Sequence, residues 1–436
     1  MSRTPFAAFR AHLVSGPMAV RGFPWLLLGQ FTSSIGDLCY AIALPWLILS
    51  SGGGPGLLGA VLACFGISRA IAIPLGGILA DRINARAVML AADAIRFVLV
   101  MLLGLLSSTV TPTFVVLAPI AVALGVCGGV FVPASFALLP AVLPEKDLTA
   151  GNSMSSVATQ LGSLLGPALG GVLVSGLGPA PALFVDAGSY LVSAAALLAF
   201  RVPKGRAAGE QSAEKDAVTF RAVLLRGRFL QVVLVAAVIG NFVYAGAAEV
   251  ALPTLAHRDF GAGGYGILLA ALGAGMIAGA LLARVELRRM RPGYLLMILV
   301  FIMGASVAAV PFSGGLAGAV VCITVFSVAN GWSGISIMTM LQLWAPRPLL
   351  ARVMSVMLLA MSGTFPLSVA VTGWGVERFG VTAFFPIAGC AMALGMLWAI
   401  TQPAFRNHRP GDQFTGGAGA VVGGPQPVEQ PVEQER

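Results

Sequence analysis

The chain has 436 residues, 58% of them apolar and only 10% charged, with 55 Gly, 27 Pro and a formal net charge of +9. A soluble domain carries about 25% charged residues, and the charges here could not coat a folded surface of this size. Gly has no period of three, which excludes collagen. The apolar content excludes disorder for most of the chain, which leaves a polytopic membrane protein.

A spanning helix needs about 20 apolar residues, and twelve such segments can be marked. The first six run near 24–50, 56–80, 87–108, 114–140, 149–177 and 180–200. After the long polar insert Arg201 to Arg228, six more run near 229–254, 264–284, 293–311, 317–344, 350–374 and 381–401. Segments of this length exclude a β-barrel, whose strands would alternate over about ten residues. The expected fold is therefore an all-α polytopic membrane protein with twelve transmembrane helices in two pseudo-symmetric six-helix bundles. The expected organisation is a cytoplasmic N-terminal segment 1–23, a first bundle 24–200 and a cytoplasmic central loop 201–228. A second bundle 229–401 and a disordered cytoplasmic tail 402–436 complete it. That tail is rich in Gly, Pro and Gln and ends in two tandem Pro-Val-Glu-Gln units from Pro427 to Gln434. No removable signal peptide is expected at the N-terminus.

The charges set the orientation. Of the 26 Lys and Arg, all but Arg69, Arg96, Arg258 and Arg378 fall on one set of segment ends. Arg69 and Arg96 lie within spans, and the other two lie on the opposite side. A split that alternates with helix number predicts both termini in the cytoplasm of a cell inner membrane. The basic balance is thus a membrane-surface property, and nucleic acid is not an expected partner. Cys39, Cys64, Cys127, Cys322 and Cys390 are scattered through apolar segments, as small buried hydrophobes are. No metal, no cofactor and no enzymatic site is expected: no His or Cys cluster, phosphate-binding loop or nucleophile beside a base is present.

The two halves share landmarks. Ala43-Leu44-Pro45 closes the first segment and Ala251-Leu252-Pro253 the seventh, 208 residues on. Gly77 and Gly279 fall near the basic ends of the following segments. Repeated halves with a site between them are the architecture of secondary transporters.

Two motifs stand out. The loop after the second segment reads Gly76-Gly77-Ile78-Leu79-Ala80-Asp81-Arg82-Ile83-Asn84-Ala85-Arg86. Gly77 would allow a close helix approach, Asp81 a helix N-terminus contact, and Asn84 a left-handed turn. The fifth segment contains Gly162-Ser163-Leu164-Leu165-Gly166-Pro167-Ala168-Leu169-Gly170-Gly171. Glycines four apart make a flat packing face, and Pro167 removes one backbone donor.

The first motif resembles the signature of the major facilitator superfamily between its second and third helices, with Gly77, Asp81, Arg82 and Arg86 in matching positions and Asn84 in place of a Gly. The second is similar to the pattern of that superfamily's drug:proton antiporters, matched by Gly162, Gly166, Pro167, Gly170 and Gly171. The stretches Gly29 to Leu47 and Leu138 to Leu148 resemble the macrolide-efflux and siderophore-exporter branch, the transmembrane secretion effectors. The resemblance implies that the loop is a cytoplasmic conformational latch and that the glycine–proline motif is a hinge accompanying export. The second-half counterpart, Gly279 to Arg291, lacks an Asp in the matching place.

Ionisable groups inside spans are expensive and face the protein interior or a polar cavity. Asp37, mid-way along the first segment, is the first candidate proton carrier, with Arg69 as its charge partner. A permanent structural pair is the alternative. Glu249 is the second candidate and Asp186 the third, although Asp186 is expected near the external interface. Asp93 and Arg96 are spaced as an i,i+3 pair and are assigned to the cytoplasmic gate. Gln30, Asn241, Tyr244 and Trp332 are cavity candidates. Trp25, Trp46 and Trp344 are expected as interfacial anchors, and His257 in an external loop.

The function expected is secondary active transport: proton-coupled export of amphipathic organic molecules such as macrolide-like drugs, by a monomer in the lipid bilayer. The alternatives are a siderophore or metabolite exporter, an uncoupled facilitator or importer, and a non-transporting sensor or assembly protein on the same fold.

Overall fold

The structure, a computed structural model, describes residues 16–408 apart from 21, 108, 110, 145, 146, 200–222, 287–291 and 346–348. The tail beyond 408, the central loop 201–222 and the first fifteen residues lie outside the described residues, and with them many of the basic residues on which the expected orientation rests.

Among the described residues, twelve helices are long and apolar enough to cross a membrane, and no strand occurs. The first half comprises α1 (Phe23–Ser50), α2 (Gly54–Leu79), α3 (Ala85–Leu106), α4 (Phe114–Val142), α5 (Leu148–Leu177) and α6 (Pro179–Leu198). The second comprises α7 (Arg228–Asp259), α8 (Gly261–Glu286), α9 (Pro292–Ala309), α10 (Leu316–Trp344), α11 (Leu350–Phe379) and α12 (Val381–Thr401). Helices dominate because a hydrocarbon surround offers no partner for backbone N–H and C=O groups. Large apolar side chains such as Ile71, Val115, Val172 and Leu359 point outward, as a lipid-facing surface requires.

The halves repeat one packing plan. In the first, α1 packs on α5 and α6, α3 on α4 and α6, and α2 on α4. In the second, α7 packs on α11 and α12, α9 on α10 and α12, and α8 on α10. The pairings coincide when six is added to each helix number. Even the tightest turns correspond. Gly178 alone separates α5 from α6 and Gly380 alone separates α11 from α12, at φ 84° and 82°. A single-residue turn at positive φ strains any residue with a Cβ.

Between the halves, α2 meets α11 and α5 meets α8. Each crossing is built on a pair of facing glycines. A Cβ placed on Gly59 would lie 2.9 Å from the Cα of Gly373, and one on Gly266 would lie 2.9 Å from the Cα of Gly171. The two pairs exchange under the same six-helix shift. Both sit toward the sparsely charged end, where α1 and α7 finish. Nearer mid-span, Gly66 approaches Phe365 and Pro366. The halves are therefore pinned together at the sparsely charged end.

Several local expectations are corrected. The close approach assigned to Gly77 is made by its neighbour: a Cβ on Gly76 would lie 2.7 Å from Pro133 of α4, whereas one on Gly77 meets nothing within 4 Å. Adjacent helical residues point about 100° apart, so only one of the two can face α4. Asn84 is not left-handed. Its backbone is extended, at φ 165°, and its side-chain oxygen accepts from Arg86 N–H at 2.9 Å, capping α3. α7 and α11 run five residues beyond their expected ends. His257 consequently lies in the last turns of α7 with its ring 4.7 Å from that of Trp46, not in a loop. Trp344 is not an interfacial anchor: it is buried, 5.5 Å from the ring of Phe229.

Candidate functional site

A cavity of about 1020 Å³ extends from Trp25, Leu148 and Asn152 at the basic end to Pro45, Val61 and Glu249 deeper in. Its wall comes almost entirely from the first half, with Glu249 and Phe365 as the second half's contribution. One wall is apolar, with Leu44, Phe65, Phe131 and Phe136. Another is polar. On α5, Asn152, Ser155, Ser156, Thr159 and Gln160 recur at helical spacing, and Gln30, Ser33, Ser34 and Asp37 do so on α1.

α1, α3 and α6 bring the ionisable groups together. Tyr190 on α6 donates a hydrogen bond to Asp37 Oδ1 at 2.9 Å. One turn further along α6, Ser193 donates to Asp93 Oδ2 at 2.7 Å. Asp93 is fully buried and lies 3.8 Å from Arg96 Nη1. The Arg96 guanidinium lies over the rings of Phe131, at 4.5 Å, and Tyr190, at 5.5 Å. Such contacts hold a cation away from water without fully neutralising it. Asp93 and Arg96 thus belong to the buried cluster at the cavity and are not placed with the loop after α2. Arg69 also lines the cavity, but Asp37 takes its hydrogen bond from Tyr190, with no ion pair to Arg69 within 4.0 Å.

Asp186 is fully buried, and neither carboxyl oxygen has a hydrogen-bond partner. This corrects its expected place near the external interface. It lies behind α1, where the missing side chain of Gly36 makes room: a Cβ there would fall 2.7 Å from Asp186 Oδ1. The sequence suggests an interface because Asp186 is early in its segment. Helix packing, not position along the segment, decides its depth.

Glu249 stands in a π-helical turn, Ala247–Ala251, that interrupts α7. A second π-helical turn, Ala80–Asn84, joins α2 to α3 and holds Asp81 and Arg82. The wider i→i+5 turn is rare and recurs at functional sites. Arg82 is exposed, and the side chain of Asp81 lies outside the described residues. Arg86 reaches across to α6, donating from Nε to Leu197 O at 2.8 Å and from Nη2 to Leu198 O at 3.3 Å. It satisfies carbonyls that a helix C-terminus leaves unpaired, with a charge favourable to the dipole. This locks the loop after α2 to the basic end of α6.

The glycine–proline motif of α5 faces two ways. Gly162, Gly166 and Gly170 pack on α1 at Ser34, Leu38 and Cys39, while Gly171 packs on Gly266 of the other half. The motif therefore joins the cavity-lining helix α1 to the crossing between halves.

The other cavity candidates divide. Gln30 lines the cavity, and its Oε1 is buried without a partner. Asn241 instead donates to Met361 O and to Thr364 Oγ1, bracing α7 on α11. Tyr244 stacks on Phe326, with centroids 6.1 Å apart. Trp332 has its Nε1 buried and unpartnered, away from the cavity wall. Trp25 lines the cavity's basic end instead of serving only as an anchor. Tyr190, Ser193 and the polar face of α5 are absent from the sequence reading. The α5 face was discoverable from its three-to-four spacing; Tyr190 and Ser193 acquire meaning only once α6 packs on α1 and α3. Among the described residues, no group of His, Cys, Asp and Glu could hold a metal.

Two packed six-helix repeats with a polar-walled cavity and buried carboxylates have the architecture of a membrane transporter. The chain belongs to the Major Facilitator Superfamily, whose family model matches residues 26–342. It is 25% identical over 395 residues to the multidrug efflux pump Tap of Mycolicibacterium fortuitum, covering 87% of this chain and 95% of Tap. It is 24% identical over 396 residues to the uncharacterized MFS-type transporter y4rN of Sinorhizobium fredii, covering 89% and 92%. The crystal structure of the nucleoside transporter NupG superposes with a TM-score of 0.70 at 14% identity, over 87% of this chain and 99% of NupG. At that identity the likeness speaks for the fold alone.

Proposed function

We propose that this transporter is a proton-coupled exporter of amphipathic organic molecules in the cell inner membrane, monomeric and with both termini cytoplasmic. The observation that carries the reading is the asymmetry of the cavity. It reaches the basic end, while the glycine crossings pin the opposite end shut. With basic residues cytoplasmic, this is a form ready to load from the cytoplasm or inner leaflet. Its walls suit a molecule with both apolar and polar parts. The export direction draws on the likeness to Tap and on the antiporter-type motif from Gly162 to Gly171.

In the cycle, Asp37 is the proton carrier. Substrate enters beside it with the carboxyl held by Tyr190. Rocking of the halves opens the crossings of Gly59 with Gly373 and Gly171 with Gly266, and Asp37 then takes a proton from outside. Glu249, across the cavity on the π-helical turn, is the second carrier. Coupling requires that protonation and substrate favour different states. The Arg86 bridge to α6 and the adjoining loop serve as the cytoplasmic latch.

The test is uptake into inverted membrane vesicles of a panel of fluorescent amphipathic drugs under an imposed inside-acid gradient. Uptake that vanishes when the gradient is collapsed supports the reading. Folded protein in the vesicles with no gradient-dependent uptake of any compound refutes broad drug efflux and directs attention to siderophores and native metabolites.

A further inference from the structure

The cavity holds two arginines that the proton cycle does not use as carriers. A guanidinium presents five N–H donors, and a cation within a span is expensive unless paired. Arg69 has no hydrogen bond or ion pair among the described residues; its guanidinium carbon lies 6.0 Å from the centre of the Phe65 ring. Arg96 has one long ion pair, 3.8 Å to Asp93, and two ring faces. Both converge on one glycine of α4. A Cβ on Gly128 would lie 3.5 Å from Arg96 Nη2, and 3.9 and 4.0 Å from Cδ and Nε of Arg69. Two like charges flanking a bare stretch of backbone repel one another, and an anion between them relieves that repulsion.

Asp93, bonded to Ser193, pairs with Arg96 at 3.8 Å, and Asp37, bonded to Tyr190, faces both arginines from beyond ion-pair reach. Among the described residues no carboxylate lies within 4.0 Å of Arg69, so that guanidinium is the one left for an outside anion. Asp186 packs at Gly36 of α1, with Arg96, Asp37 and Tyr190 as its electrostatic neighbours and no ion pair to Arg69, and Glu249 approaches from the other half. Further along the wall, Gln30 Oε1 and Ser155 Oγ are buried with no partner. The cavity thus has unsatisfied polar atoms and an unpaired guanidinium beside an apolar wall of Phe65, Phe131 and Leu44.

We infer that Arg69 and Arg96 form an oxyanion-binding subsite, and that the transported molecule is an amphipathic organic acid whose carboxylate seats between them over Gly128. Planar guanidinium groups match a carboxylate with paired N–H···O bonds. Gly128 is then required because any side chain there would occupy the anion's place. The apolar body of the acid lies along the phenylalanine wall. The inference names the substrate class for the exporter proposed above and rests on that reading only for the fact of transport.

Binding without a gradient separates the two. The full-length protein in detergent is titrated with dansyl-aminohexanoic acid, with its methyl ester, and with a dansyl-alkyl trimethylammonium of matched length, following dansyl fluorescence. The acid is expected to bind at least about tenfold more tightly than either neutral or cationic probe, since a charge-assisted pair is worth about 1.5–3 kcal/mol. Arg69→Gln and Arg96→Gln should each reduce acid binding to about the level of the ester, and Arg378→Gln, exposed in the last turn of α11, should leave it unchanged. The inference is overturned if the acid does not bind, if the ester or the cation binds as well as the acid, or if Arg69→Gln leaves acid affinity within about twofold. Acid binding without gradient-driven uptake would refute the proposed coupling and leave the subsite standing. Gradient-driven uptake of a cationic drug without acid binding would do the reverse.

Discussion

Gly266→Ala tests whether the glycine crossings hold the closed outer end. The added methyl would sit 2.7 Å from Pro167 O and 2.9 Å from Gly171 Cα, where carbon contacts prefer about 3.5–4.0 Å. α5 and α8 must then part by roughly 1 Å, an overpacking that costs about 1–3 kcal/mol. The cost falls only on the state in which the crossing is closed. The population with the cavity open at the basic end should therefore drop about 5- to 150-fold relative to the alternative state. Gly59→Ala should act alike, since its methyl would lie 2.9 Å from Gly373 Cα. Gly176→Ala, on α5 with nothing within 4 Å, controls for helix propensity, which itself favours Ala by about 1 kcal/mol. The readout is alkylation of Ser135→Cys, in the cavity wall, in an otherwise cysteine-free background. A membrane-impermeant maleimide is applied from the basic side. Both crossing variants should label several-fold more slowly than Gly176→Ala. Equal labelling of all three would refute the idea that these glycines belong to a closed gate.

Asp37→Asn should abolish gradient-driven uptake at normal membrane abundance; normal uptake would remove Asp37 as the carrier. Tyr190→Phe deletes the bond to Asp37 Oδ1, worth about 1.5–3 kcal/mol for a charged acceptor, so the rate should fall and its pH profile move, and an unchanged profile would count against a role in holding the carboxyl. Arg86→Gln removes the donors to Leu197 O and Leu198 O and should lower the melting temperature in detergent, by about 1–3 kcal/mol of stability; an unaltered melting curve would show that the α6 cap contributes nothing. Asp186→Ala deletes a fully buried carboxyl without partners, so stability should hold or rise, against the usual trend for core substitutions. A clear fall in melting temperature would mean that Asp186 has a partner in the working protein.

The twelve spans were legible in the sequence because lipid imposes one-dimensional rules. A span must be long and apolar, and cations gather at one set of ends. The glycine–proline motif was legible because backbone approach demands small residues at fixed spacing. Its targets were not. Which of Gly76 and Gly77 faces α4 depends on the helix's rotation about its axis. That Gly171 faces Gly266, 95 positions further along the chain, depends on how the two halves dock.

The ionisable residues show the same division. Asp37, Asp93, Asp186, Arg69, Arg96 and Glu249 are conspicuous in the sequence because charges inside spans are costly. Their neighbours come from other helices, so only the tertiary structure assigns Tyr190 to Asp37 and Ser193 to Asp93. The same packing leaves Asp186 without a partner and brings Arg69 beside Arg96 at Gly128. Composition is enough to require an apolar exterior and a polar interior. The pairing of charges across that interior is set by distances between helices, which follow from packing and are written in no single segment.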